Sequence, residues 1–208
     1  MTLPPARWTR RAALAFAGAL AIALPARADE AAEAYVREIL AEANPLFDNQ
    51  DEAARLSGIE ALVDRHVDMR RVALFALGQY ARVITDAQKE RYIPLFRRYA
   101  TLVYRDALAN YSGQRLEVTN SVDRSARDII VNSKIPDARP GDAFYDVTIH
   151  WRVYRDDAGR QSIFDAGADG VWLAIEQQSQ FKSVIANNGG GEKGIDALIA
   201  KLEAQVGG

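Results

Sequence analysis

From Glu30 to about Phe47 the apolar residues Tyr35, Ile39, Leu40 and Ala43 return at three- and four-residue steps, which predicts a helix that Asn44-Pro45 ends or kinks. A second helical segment, roughly Glu52 to His66, carries Leu56, Ile59, Leu62 and Val63 on one side. Gly58 weakens it, so it reads as one helix or as two short ones. Asp68 suits the N-cap of a third helix with Val72, Phe75, Ala76 and Leu77 apolar, stopped or bent at Gly78. Thr85-Asp86-Ala87-Gln88 is a capping box and opens the longest helix, which runs to about Tyr111. Tyr92, Phe96, Tyr99, Val103 and Ala107 share one of its faces, Leu95 and Leu102 lie beside them, and charged residues take the other side. Pro94 removes a hydrogen bond and is expected to bend it. An aromatic stripe of this kind serves either as packed core or as the wall of a ligand cavity.

After Gly113 the period changes from helical to alternating. Leu116, Val118 and Val122 share a face, Asp123 to Ala126 makes a turn, and Ile129, Ile130, Val131 and Ile135 form the next strand. In the following strand Tyr145, Val147, Ile149, Trp151 and Val153 alternate with Asp146, Thr148, His150 and Arg152, the mark of a half-buried antiparallel strand. Asp156 to Gly159 makes a hairpin into Gln161–Phe164, and a turn around Asp169-Gly170 leads to Val171–Glu176, read as a fifth strand. Phe181, Val184 and Ile185 follow a polar run, and Gly189-Gly190-Gly191 joins it to a short amphipathic helix ending near Leu202. Helices first and a meander of about five strands after them define an α+β fold. The expected layout is a helical part over 29–112, a sheet part over 113–186 and a C-terminal helix over 187–208, all in one domain.

The N-terminus changes the compartment. Arg7, Arg10 and Arg11 precede an uncharged apolar run from Ala12 to Leu24, and Pro25-Ala26-Arg27-Ala28 has the small-x-small pattern of a cleavage site. Residues 1–28 are therefore expected to be a secretory signal peptide, with the mature chain starting at Asp29. Thr9-Arg10-Arg11 is also a loose twin-arginine pattern, so either export route stays open. Removing the leader takes away four of the 26 basic residues and none of the 28 acidic ones, leaving a net charge of −6. A mildly acidic exported domain gives no reason to expect nucleic acid as a partner. With no cysteine the domain has no disulfides and must be held by its core, which about 180 residues can supply.

Chemistry is sparse. There are two histidines, His66 and His150, no nucleophile-elbow motif and no zinc spacing. Gly189 to Gly194 superficially resembles a phosphate loop, but it lacks the Gly-Lys-Ser/Thr ending and reads as a joint. Asp48, Asp51 and Glu52 fit no calcium loop. No catalytic group, metal or cofactor is expected; a hydrolase would require His150 or Asp146 to face the interior.

Against this background the run Asp68…Leu77-Gly78-Gln79-Tyr80-Ala81-Arg82, then Thr85 to Tyr92 and Phe96, then Leu102, Tyr104, Leu108 and Tyr111 resembles the MlaC family of periplasmic phospholipid-binding proteins, known also from toluene-tolerance transport. The C-terminal order of Phe164-Asp165, Gly170-Val171, Leu173, a polar run, Phe181, Ile185, glycine and a last Leu-Ile helix agrees with it. The resemblance implies a cone-like curved sheet, similar to the nuclear-transport-factor fold, wrapped by helices around a deep apolar cavity. It implies a periplasmic carrier that holds phospholipid acyl chains and shuttles them between an outer-membrane lipoprotein complex and an inner-membrane ABC transporter, maintaining outer-membrane lipid asymmetry. On that reading the lipid contacts are Val147, Ile149, Trp151, Leu173 and Ile175 from the sheet, and Phe75, Tyr80, Phe96, Tyr99, Val103 and Phe181 from the helical part. The chain departs from the family at Trp172, where a small residue is usual, and at Gln177-Gln178, where a Tyr-Arg pair is usual. Another apolar ligand such as a hopanoid, or a periplasmic adaptor role without lipid, stays open.

Overall fold

The computed structural model describes residues 29–47, 49–108, 115–142 and 145–207. The predicted leader, the helix end near Tyr111 and Asp48 lie outside the described residues. Helices α1 (Glu30–Phe47), α2 (Glu52–His66), α3 (Met69–Ala76) and α4 (Asp86–Leu108) come first, with a 3-10 turn over Gly78–Arg82. Strands β1 (Glu117–Ser125), β2 (Asp128–Lys134), β3 (Ile149–Arg155), β4 (Gln161–Ala168) and β5 (Val171–Trp172) follow, then α5 (Leu173–Asn187) and α6 (Gly191–Val206). The five strands form one antiparallel meander in chain order, and the fold is α+β.

The helix starts follow their side chains. Asp51 accepts from the Ala54 amide at the start of α2, and Asp68 from the Arg71 amide at the start of α3. At α4 both halves of the capping box form: the Gln88 amide donates to Thr85 Oγ1 and the Thr85 amide to Gln88 Oε1, each at 3.2 Å. Gln88 Nε2 also donates to the Glu192 carbonyl and to Asp196 Oδ1, both at 2.9 Å, so one buried amide ties the start of α4 to the start of α6. Gln88→Ala is expected to lower the unfolding free energy by about 1–2 kcal/mol in urea melts.

Three expectations are corrected. Segment 52–66 is a single helix, because Gly58 is where α2 meets α1. A Cβ there would sit 2.4 Å from Leu46 Cδ2, so the missing side chain permits contact rather than breaking the helix. The strand expected from Tyr145 begins only at Ile149. Asp146 adopts φ +59°, which breaks the extended run, and Tyr145 is left half exposed in a turn. The fifth strand stops at Trp172, and Leu173 opens α5, so the sheet part ends there and not near residue 186. Trp172 cannot cap a helix; Asp165 of β4 does so from across the turn, its Oδ1 accepting from the Ala174 amide at 2.9 Å. Ala174, Phe181 and Ile185 then form the buried stripe, and Leu173 and Ile175 fall outside it.

The Asp169-Gly170 turn forms as expected, with φ +50° and +82°, the signature of a two-residue hairpin loop. The glycine joint is also as expected in place: Gly189, Gly190 and Gly191 all have positive φ, and the Gly190 amide donates to the Ile185 carbonyl at 2.9 Å.

Among the described residues the interior holds two apolar clusters. In one, Ala32, Val36, Ile39 and Leu40 of α1 lie on Ile129, Val131, Val153 and Ile163 of the sheet. In the other, α3, α4, α5 and α6 pack together with Phe164 of β4. Val67, which pairs with Ile163 at the free edge of β4, packs against both.

Candidate functional site

The aromatic stripe of α4 enters the helical cluster. Tyr92 and Phe96 are almost fully buried, and Phe181 of α5 meets both edge-on at ring separations of 6.3 and 6.0 Å. Half-buried Tyr99 leans on Phe181 at 5.8 Å, and Phe75 meets Phe164 edge-on at 5.0 Å. Burial pushes the Tyr92 phenol well above its ordinary range, so it stays a neutral donor, giving its proton to the Ala73 carbonyl at 2.8 Å. Tyr80 stands in the 3-10 turn at the margin of the same cluster, and Val103 is half buried further along α4.

The sheet contributes Trp151, half buried at the margin of the α1 cluster, with its Nε1 donating to Ser133 Oγ at 2.9 Å. Ile149 begins the same strand, and Val147 stands just before it in the chain segment that Asp146 turns aside; both are half buried. The structure therefore brings Phe75, Tyr80, Phe96, Tyr99 and Phe181 together in one cluster and places Trp151 on the other. Leu173 and Ile175 join neither, being 38 % and 45 % exposed on the outer side of α5. Their apolar run has strand composition, but the helix that Asp165 caps turns them outward.

Neither histidine approaches the other through a shared partner. His66 Nδ1 meets Tyr35 Oη at 3.2 Å, and its Nε2 lies 3.4 Å from Glu42. Burial, with Glu38 and Glu42 nearby, pushes the Tyr35 phenol up to about 12, so it too stays neutral. His150 belongs to a row that crosses the whole sheet on the face away from Trp151. Asn120, Asn132, His150, Gly167 and Trp172 are successive cross-strand partners from β1 to β5. Asn132 Nδ2 donates to Asn120 Oδ1 at 2.9 Å, His150 Nδ1 lies 2.7 Å from Asn132 Oδ1, and the Trp172 ring stacks on the imidazole at 5.7 Å. Gly167 makes the stack possible, since a Cβ there would meet the Val171 carbonyl at 2.4 Å and the indole at 3.1 Å. Asp146 is exposed and pairs with Lys134. The two departures at Gln177-Gln178 differ: Gln178 donates to the Phe75 carbonyl at 2.7 Å, and the buried Gln177 Nε2 has no partner among the described residues.

A cleft of about 370 Å³ that sequence reasoning missed lies between α2 and α4, lined by Glu60, Asp64, Arg97, Arg98, Thr101, Leu102 and Val206. Arg97 reaches across it to Asp64, and Arg98 donates to the Val206 carbonyl at 3.2 Å. Charge at helical spacing reads as a solvated face until the structure shows which helices confront each other.

An antiparallel meander with α1 laid across it and a stack of α3, α4, α5 and α6 packed on Phe164 of β4 define a small α+β domain. The chain belongs to the MlaC protein family, which it matches over residues 33–204. Its fold is that of a phospholipid-binding protein from Ralstonia solanacearum solved in complex with a phospholipid. The two share 24 % sequence identity with a TM-score of 0.67, over 85 % of this chain and 99 % of that one.

Proposed function

We propose that this protein is a periplasmic carrier which buries the acyl chains of a phospholipid between its two apolar clusters and shuttles the lipid between an outer-membrane lipoprotein complex and an inner-membrane ABC transporter. The observation that carries the reading is membership of the MlaC family, with an interior that falls into two apolar clusters joined at Val67. Large side chains at the margins of the clusters, among them Phe75, Tyr99 and Trp151, keep partial exposure that a single closed core would remove. Acyl chains supply the missing contacts. Phe75, Tyr80, Tyr99, Val103, Ile149 and Trp151 are the side chains assigned to touch them, with Phe96 and Phe181 packed behind. Val147 lies next to Ile149 in the chain, at the start of the same wall.

Burying acyl chains stabilises the complex by roughly 0.8 kcal/mol per methylene. Spontaneous escape into water is therefore slow, and hand-over requires a protein contact at each membrane. No bond is made or broken in such a cycle, so no group needs activation. Native mass spectrometry of the purified protein is expected to show mass increments of whole phospholipids that organic extraction removes and recovers. Protein that is empty as purified and takes up no lipid from vesicles would sink the proposal.

A further inference from the structure

We propose that the Ala28–Asp29 peptide is a maturation site, and that the α-ammonium its hydrolysis creates on Asp29 completes a polar lock between α1, β1 and β3; this is independent of whether lipid is carried. Pro25-Ala26-Arg27-Ala28 has the small-x-small pattern that precedes such a cut, and the fold converges on the residue that follows it. The Asp29 nitrogen donates to Ser121 Oγ of β1 at 2.7 Å, across 92 positions of the chain. Ser121 donates in turn to Glu33 Oε1 at 3.0 Å. Ser121 and Glu33 are buried, at 6 % and 8 % exposure, so one hydroxyl separates the nitrogen from a carboxylate that water barely reaches. The Asp29 carbonyl accepts from the Glu33 amide and its Oδ1 from the Ala32 amide, both at 2.9 Å, which starts and caps α1. Arg155, at the end of β3, donates to both Asp29 carboxylate oxygens at 2.8 Å.

The cut is a hydrolysis by a leader peptidase, with water as the only co-reactant. The water oxygen goes to Ala28, which leaves as a carboxylate, and both water protons go to the Asp29 nitrogen, which becomes an ammonium. In the uncut chain that nitrogen is a neutral amide whose single hydrogen is committed to Ser121. After the cut the same contact becomes a charge-assisted hydrogen bond, aimed through the Ser121 hydroxyl at the Glu33 carboxylate. An ammonium at a helix start opposes the helix dipole, and the first turn offsets that cost. Asp29, Glu30 and Glu33 bring three carboxylates to it, against two cations: Arg155 on Asp29, and Arg37 on the second oxygen of Glu33 at 2.7 Å. The ammonium is the third cation, and it arrives where the buried carboxylate lies.

The test compares two N-termini. The full chain with its own leader is exported in a Gram-negative host, beside a version with one glycine inserted between Ala28 and Asp29. Both proteins are purified from the periplasm and delipidated, and intact mass reads where each begins. The unaltered protein is expected to begin at Asp29 and the other at the added glycine, which leaves the Asp29 nitrogen an amide. In urea melts the unaltered protein should have an unfolding constant about three- to ten-fold smaller, the margin of a charged over a neutral hydrogen bond. Glu33→Gln keeps an accepting oxygen and removes the charge, so it should bring the ratio of the two constants towards one. Ser121→Ala, which removes the contact itself, should do the same and serves where Glu33→Gln does not fold. Glu60→Gln, on α2 and outside this junction, should leave the ratio unchanged. A purified chain that begins at another residue, equal unfolding constants for the two N-termini, or a ratio that survives Glu33→Gln or Ser121→Ala overturns the proposal.

Discussion

Phe181→Ala is expected to lower the free energy of unfolding by about 3–5 kcal/mol, the range for truncating a fully buried aromatic residue. Phe181 is only 4 % exposed and stands against Tyr92, Phe96 and Tyr99, three rings contributed by successive turns of α4. Truncation removes the ring's transfer energy and leaves a void that the surrounding helices cannot close, since Gly194 already brings α6 into backbone contact with the end of α5. The measurement is urea denaturation of the delipidated variant and of the unaltered protein. It also decides what the stripe is for. A loss of the expected size marks these rings as packed core behind the lipid, whereas a loss below about 1.5 kcal/mol would mark a wall that is already unfilled and would move Phe181 and Phe96 to the acyl-chain surface.

Much of this arrangement was legible in the chain because local signals and long periodic runs agreed. Asp68, the Thr85/Gln88 box and the 3.6-residue stripe of α4 located helices that the structure retains, and Asp169-Gly170 located a hairpin loop. The meander was legible because alternation survives when one face of a sheet is buried. What failed did so for tertiary reasons. Gly58 looks like a helix breaker until Leu46 is seen beside it. Val171 to Ile175 has strand composition, and only a carboxylate nine positions before Ala174 converts its second half into a helix. The apolar clusters were predictable as residue sets, but their division between α1 and the helical stack was not, because periodicity tells which side of a helix is buried and not against what. The α2–α4 cleft was hidden for the same reason.

Asp165 is the residue in which these points meet, and its removal is expected to have the second largest effect. Its carboxylate is buried at 5 % exposure, and Oδ1 accepts from the amides of Ala166 and Ala174, both at 2.9 Å, while Oδ2 has no partner among the described residues. Asp165→Ala leaves two amides without an acceptor at the point where β5 turns into α5, and should cost about 2–4 kcal/mol. Asp165→Asn keeps the accepting oxygen and discards the charge, so the two substitutions separate capping from ionisation. Burial raises the Asp165 pKa above 3.8, opposed by the two amide bonds and by Arg152. The folded protein therefore binds this proton more tightly than the unfolded chain. The stabilising contribution of that tighter proton binding is fully present below pH 3.8 and is lost as pH rises through the folded value. Relative to Asp165→Asn, the unaltered protein should thus gain stability as pH is lowered from neutral towards 3.8, in matched urea melts. A difference that runs the other way would show that Arg152 and the two amides outweigh desolvation, and that α5 is anchored by a charge rather than in spite of one.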